Sequence, residues 1–158
     1  MPISVKGDKA LGSTLSIENK CLRINLNENI YGTFAEIGAG QETVRNFFRV
    51  GDASGTIAKT ISAYDKDFSD AIYGIEDDRR YVTENRLKSI LSFETGLIEK
   101  RISREKHPYI LFFSYANTVT TIDFAKKYKG HGWMGIRFQT QPKEEYSKII
   151  LHVQFHET

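Results

Sequence analysis

The sequence predicts an α+β (mixed α/β) domain, a mostly antiparallel sheet carrying one long packed helix. Three observations predict it. An apolar stripe at helical spacing follows a Thr83 cap; two alternating runs near the C-terminus are separated by a polar, proline-containing loop; and 40% apolar residues, including 10 Phe and 8 Tyr, suffice for one packed core in 158 residues.

Residues 1–20 lack periodicity and read as an N-terminal tether or peripheral segment, leaving 21–158 as a single globular domain. Cys21 to Leu26 alternates apolar with polar and predicts a half-buried strand. Asn27-Glu28-Asn29 reads as a turn before a second strand, Tyr31 to Ile37. Gln41 to Val50 predicts a short helix with Arg45 and Arg49 one turn apart. Gly51 to Gly55 breaks it, Thr56 to Tyr64 fits either a helix or a buried strand, and Asp67 to Ile72 fits one or two helical turns.

Glu76-Asp77-Asp78-Arg79-Arg80 is a solvated break. Thr83 then caps the long helix, whose stripe is Leu87, Ile90, Leu91, Leu97, Ile98 and Ile102, with Gly96 its weak point. Tyr109 to Tyr115 is a strand covered on both faces, and Thr121 to Tyr128 a candidate helix. Trp133 to Gln139 and Lys148 to Phe155 form a long-loop hairpin, with Ile149, Leu151, Val153 and Phe155 on one face.

Composition excludes several function classes. A formal charge of +2 is too small to indicate nucleic acid or an anionic membrane as partner. Cys21 is the only cysteine, so no internal disulfide forms, and the first residues carry no signal-peptide block; the expected compartment is the cytoplasm. There is no run of about 18 apolar residues for a membrane helix.

Candidate chemistry concentrates between Tyr31 and Gly74 and again at His131 to Gln139. The run G-D-A-S-G-T-I-A-K-T from Gly51 to Thr60 invites comparison with a phosphate loop, but Lys59 follows Gly55 by four residues instead of one. Gly38 and Gly40 lack the third glycine of a dinucleotide fingerprint. Arg45, Arg49, Lys59 and Arg137 are candidate anion contacts, with Gly38, Gly40, His131, Trp133 and Gln139 as further ligand-binding candidates; the plainer reading leaves Arg45, Arg49 and Lys59 as exposed charges, Arg137 paired with a structural acid and Trp133 as core. Glu36, Glu42 and Asp65 are candidate acid/base residues or Mg²⁺ ligands, although a cap or a surface charge is the commoner role for most carboxylates of this segment. The metal and cofactor are unknown. His152 and His156 match no zinc spacing, and Cys21 has no nucleophile signature.

The segments Y-G-T-F-A-E-I-G-A-G-Q-E, F-F-R-V-G, G-T-I-A-K-T, S-A-Y-D, F-S-D-A-I-Y-G and H-G-W-M-G-I-R-F-Q resemble a family of poorly characterised bacterial proteins, over about residues 21–155. Its members carry conflicting labels, TonB-dependent receptor and nicotinate- or nicotinamide-nucleotide adenylyltransferase. Most continue further, so the resemblance implies an N-terminal domain of a longer protein or a short relative. A receptor needs a large closed barrel, which this sequence does not encode. The transferase class uses an H-x-G-H motif that His131-Gly132-Trp133 does not supply. The resemblance carries over no catalytic residues.

Two functional readings follow from the residues. The first is a cytoplasmic nucleotide- or phosphoester-binding domain with a phosphate-bearing small molecule as partner, its status as an enzyme open. The second is a non-catalytic interaction domain that docks to a C-terminal region or to a second copy. A convergent charged pocket favours the first, and an exposed apolar patch the second.

Overall fold

The computed structural model describes residues 14–121, 125 and 129–156. Its elements run α1 (Ile17–Asn25), β1 (Ile30–Gly38), α2 (Thr43–Val50), β2 (Ile57–Ala63), α3 (Lys66–Tyr73), α4 (Glu84–Arg101), β3 (Leu111–Thr120), β4 (His131–Phe138) and β5 (Ser147–Gln154). The strands form one sheet in the order β2-β1-β3-β4-β5. β1 pairs in parallel with β2 and β3, whereas β3–β4 and β4–β5 are antiparallel. The α+β class, the long packed helix and the antiparallel pairing in the C-terminal half are as the sequence predicts; the sheet as a whole is mixed, with two parallel and two antiparallel pairings, instead of mostly antiparallel.

The predicted strand at Cys21 to Leu26 is instead the second half of a helix. Ser16 accepts a hydrogen bond from the Asn19 N–H at 3.1 Å, Glu18 occupies the first turn and Arg23 the last, so cap and charges all favour a helix. Cys21 and Asn25, the buried residues of α1, are four apart, which is one helical turn. The ambiguous Thr56 to Tyr64 is a strand, because its inward positions fall at every second residue. The candidate helix at Thr121 to Tyr128 lies almost wholly outside the described residues, and so do residues 1–13 of the expected tether.

Helices cover both faces of the sheet. On one face α2 packs against β1 and β3, where Phe34, Val44 and Phe113 form a core with Phe47, Tyr115, Ile136 and Phe138. On the other, α4 buries Leu87, Ile90 and Leu91 against Ala35, Ile37, Ala63 and Ala116. Small residues at the centre of the sheet let α4 sit close, and a Cβ added to Gly135 would stand 3.1 Å from Leu87 and 3.2 Å from Leu91. Thr83 caps α4 by accepting from the Arg86 N–H at 3.1 Å, and the helix passes through exposed Gly96 unbroken.

Among the described residues no helix covers the α2 side of the half-sheet made by β4 and β5. Ile149, Leu151 and Phe155 remain 50%, 51% and 43% exposed there. Among the described residues no helix is long and apolar enough to cross a membrane.

Candidate functional site

The connection after β1 runs to α2 on one face, while the connection after β2 runs to α3 and α4 on the other. Neighbouring parallel strands whose connections diverge in this way leave a crevice at their carboxyl ends, where open α/β sheets bind ligands. A cavity of about 200 Å³ occupies this position, lined by Gly38 and Ala39 after β1, Tyr64, Asp65 and Lys66 after β2, and Thr118 to Thr121 at the end of β3.

Each wall is built for a reason. Gly38 has φ 80, and a Cβ there would collide with the Val119 carbonyl oxygen; one on Gly40 would come within 2.6 Å of the Val119 side chain. These glycines let the loop after β1 lie against β3, and the Ala39 N–H donates to the Val119 carbonyl at 3.1 Å. Asp65 caps α3, accepting from the N–H groups of Asp67 at 2.7 Å and Phe68 at 3.3 Å. Tyr64 is 76% exposed, and the Lys66 ammonium lies 5.6 Å from the centre of the Tyr81 ring.

Arg86 braces the crevice from below. It is fully buried and donates to the Gly74 carbonyl at 2.7 Å, Ser69 Oγ at 2.9 Å, Glu76 Oε1 at 3.2 Å and Asp70 Oδ1 at 3.3 Å. Tyr81 donates to the second Asp70 oxygen at 2.8 Å, which holds its phenol above the ordinary range, and its backbone carbonyl accepts from Thr118 at 2.7 Å. The crevice thus has two aromatic rings, a lysine with no acidic partner among the described residues, and the hydroxyls of Thr118, Thr120 and Thr121.

The sequence-derived candidates do not converge on one site. Gly38 and Asp65 border the crevice, and Gly40 shapes its loop. Glu36 is buried on the opposite face of the sheet, where it accepts from the Val44 N–H at 2.8 Å and caps α2 from a distance. Burial pushes its carboxyl above the usual range, opposed by hydrogen bonds from the Val44 and Thr43 backbone. Glu42, at the N-cap of α2, makes no capping bond with its side chain. Arg45 and Arg49 are exposed on α2.

Lys59 lies under α4, paired with Glu94, a carboxylate with no exposed surface that also accepts from the Tyr73 hydroxyl at 2.8 Å. The anion pocket expected from Arg45, Arg49 and Lys59 therefore does not form, since Lys59 is spent on a buried acid on the other side of the sheet. The acid trio separates for the same reason, Glu36 on the α2 face and Asp65 in the crevice. Among the described residues no three His, Cys, Asp or Glu side chains cluster as a metal site.

The second predicted region splits too. Gln139 is structural: its carbonyl accepts from the Phe112 N–H at 3.0 Å and Arg104 Nη2 at 2.7 Å, and its amide donates to Glu144 at 2.8 Å. Trp133 packs on the core and stacks on His152, with ring centres 4.4 Å apart. His131 Nδ1 lies 3.0 Å from His152 Nε2; burial, then His152, lowers its pKa below the ordinary histidine value. Cys21 is buried, which raises its thiol pKa and leaves it a poor nucleophile.

No protein-family model matches the sequence, and no curated protein matches it. Solved structures do match. A competence-damaged protein (CinA) superfamily protein of Klebsiella pneumoniae is 10% identical, covering 89% of this chain and 82% of its own, with a TM-score of 0.62. A CinA superfamily protein of Enterobacter cloacae is 11% identical over 92% and 82%, TM-score 0.61, and one of Escherichia coli 13% identical over 96% and 87%, TM-score 0.56. The chain therefore shares its fold with proteins of the CinA superfamily. Neither label carried by the proteins that the sequence resembles occurs among these three neighbours.

Sequence reasoning missed Arg86 and Glu94. The signal was present: both fall at the spacing of Ile90, inside the apolar stripe of α4 instead of on its solvent face.

Proposed function

We propose that this domain binds a small nucleotide or related phosphoester in the crevice at the carboxyl ends of β1, β2 and β3. The supporting observation is the divergence of the β1 and β2 connections, which opens a polar cavity beside two tyrosine rings and a lysine. Exposed Tyr64 offers a face for a planar ring, Lys66 a cation for the phosphoryl group, and Thr121 a hydroxyl donor. A thermal-shift series with nucleotides, with and without Mg²⁺, tests this reading. A ligand that binds only the folded state raises the melting temperature, and Lys66→Ala and Tyr64→Ala, both at exposed positions, abolish the rise while Arg49→Ala does not. No shift with any nucleotide overturns it.

The apolar face of β4 and β5, which no described helix covers, favours a second reading, an interaction domain. Sedimentation of the chain and of Leu151→Lys decides it: an assembly that the charge dissolves supports docking through this face, and a wild-type monomer at every concentration excludes self-association there.

A further inference from the structure

Arg137 differs from the other arginines packed beside the sheet. Arg86 has four acceptors, and Arg104 donates to the Ile110 carbonyl and Gln139 while stacking on Phe112 at 4.2 Å. Arg137 is half-buried, fixed 4.9 Å above the Tyr146 ring, and among the described residues its guanidinium meets no acceptor. A partly desolvated fork of N–H donors without acceptors is unfavourable unless something outside the chain supplies them.

Its neighbours deepen the deficit. Lys148 is the direct cross-strand partner of Arg137, on the same face, and like charges placed opposite each other destabilise an antiparallel pair. Lys88 reaches the same place from α4. These cations line a cavity of about 300 Å³ together with Leu91, Ser92 and Tyr146, and no carboxylate is among the lining residues. Of the nearby acids, Glu84 pairs with Lys88 at 2.9 Å and Glu99 accepts from the Tyr146 hydroxyl at 2.7 Å, which leaves Arg137 and Lys148 as the lining cations without a carboxylate among the described residues.

We infer that Arg137 and Lys148 form a second binding site, distinct from the crevice, for a phosphoryl or sulfuryl group. The planar guanidinium presents two parallel N–H groups to two oxygens of a tetrahedral oxyanion, Tyr146 holds that plane in place, and Lys148 and Ser92 serve the remaining oxygens. The anion relieves the repulsion between Arg137 and Lys148, so occupancy and the stability of the β4–β5 hairpin are linked.

Calorimetric titration with inorganic phosphate, sulfate and a simple phosphomonoester, against chloride at matched ionic strength, tests the site. Saturable binding of the tetrahedral anions at one site per chain is expected, weakened about tenfold or more in Arg137→Met. Tighter binding of the monoester than of free phosphate assigns the site to a phosphorylated molecule, and the reverse to the free ion. Lys148→Met, at an exposed position, melts higher than wild type in phosphate-free buffer and no longer gains from added phosphate. Lys66→Ala in the crevice leaves all of this unchanged, so failure here and failure of the nucleotide reading are distinguishable. Equal responses to phosphate and chloride, or full binding retained by both Arg137→Met and Lys148→Met, overturn the inference.

Discussion

The Arg86 guanidinium carbon stands 4.8 Å from the centre of the Tyr81 ring, and both side chains hold the same carboxylate, Asp70. This clamp ties the start of α4 to α3 and to the segment between them. We predict that Arg86→Met costs about 3–5 kcal/mol, because it strands partners arranged around a buried charge. Arg86→Lys should recover only part, since one ammonium cannot reach acceptors set out for a planar fork. Urea denaturation measures both, and a loss under 1 kcal/mol for Arg86→Met would show that the network is dispensable.

Lys59 and Glu94 provide a double-mutant cycle. Lys59→Met leaves the buried Glu94 carboxylate without its cation and is expected to be strongly destabilising, whereas Lys59→Met with Glu94→Leu regains much of the loss. Additive effects in the cycle would mean that the pair contributes no coupling.

Glu36 predicts a pH dependence with a definite sign. Its folded pKa is raised by burial, so the native state binds the proton more tightly than the unfolded chain. The stability it contributes is complete below the ordinary carboxylate pKa and is lost as pH rises through the elevated folded value. Wild-type stability should fall across that window, and Glu36→Gln, which keeps the acceptor for the Val44 N–H, should not show the fall. Identical profiles for the two proteins would contradict the assignment.

Two glycines should respond in opposite directions to the same substitution. Gly96→Ala, in the interior of α4 with open space around it, is expected to stabilise by about 0.5–1 kcal/mol. Gly38→Ala adds a collision with the Val119 carbonyl at a positive φ and is expected to destabilise and to distort the crevice. Melting temperatures of the two variants provide the check.

Elements whose local chemistry and burial agree were legible in the sequence. Thr83 followed by the stripe of Leu87, Ile90, Leu91 and Ile98 defines α4, and the alternation of Ile149, Leu151 and Val153 defines β5. α1 was misread because C-L-R-I-N-L alternates over six residues by coincidence, while the Ser16 cap lay outside the apolar run. The site was half legible. The glycines after β1 and Asp65 after β2 mark the ends of strands, and strand ends make the crevice. Which cations are free was not legible, because Lys59 and Arg137 look alike in sequence; only the fold places a buried glutamate beside one and a second cation beside the other.

The sheet topology also governs when the chain can fold during synthesis. Inner strand β1 is flanked by β2 and β3, and its residue Ile30 pairs with Leu111. At ribosomal rates of about 5–20 residues per second, roughly 4–16 s separate the emergence of these two partners. Throughout that interval β1 has its β3 flank open, although β2 and α4 emerge before it closes. Closing so distant a pair is slow as well as late, which makes the emerging N-terminal half a natural client for a chaperone before the molecule can act on any ligand.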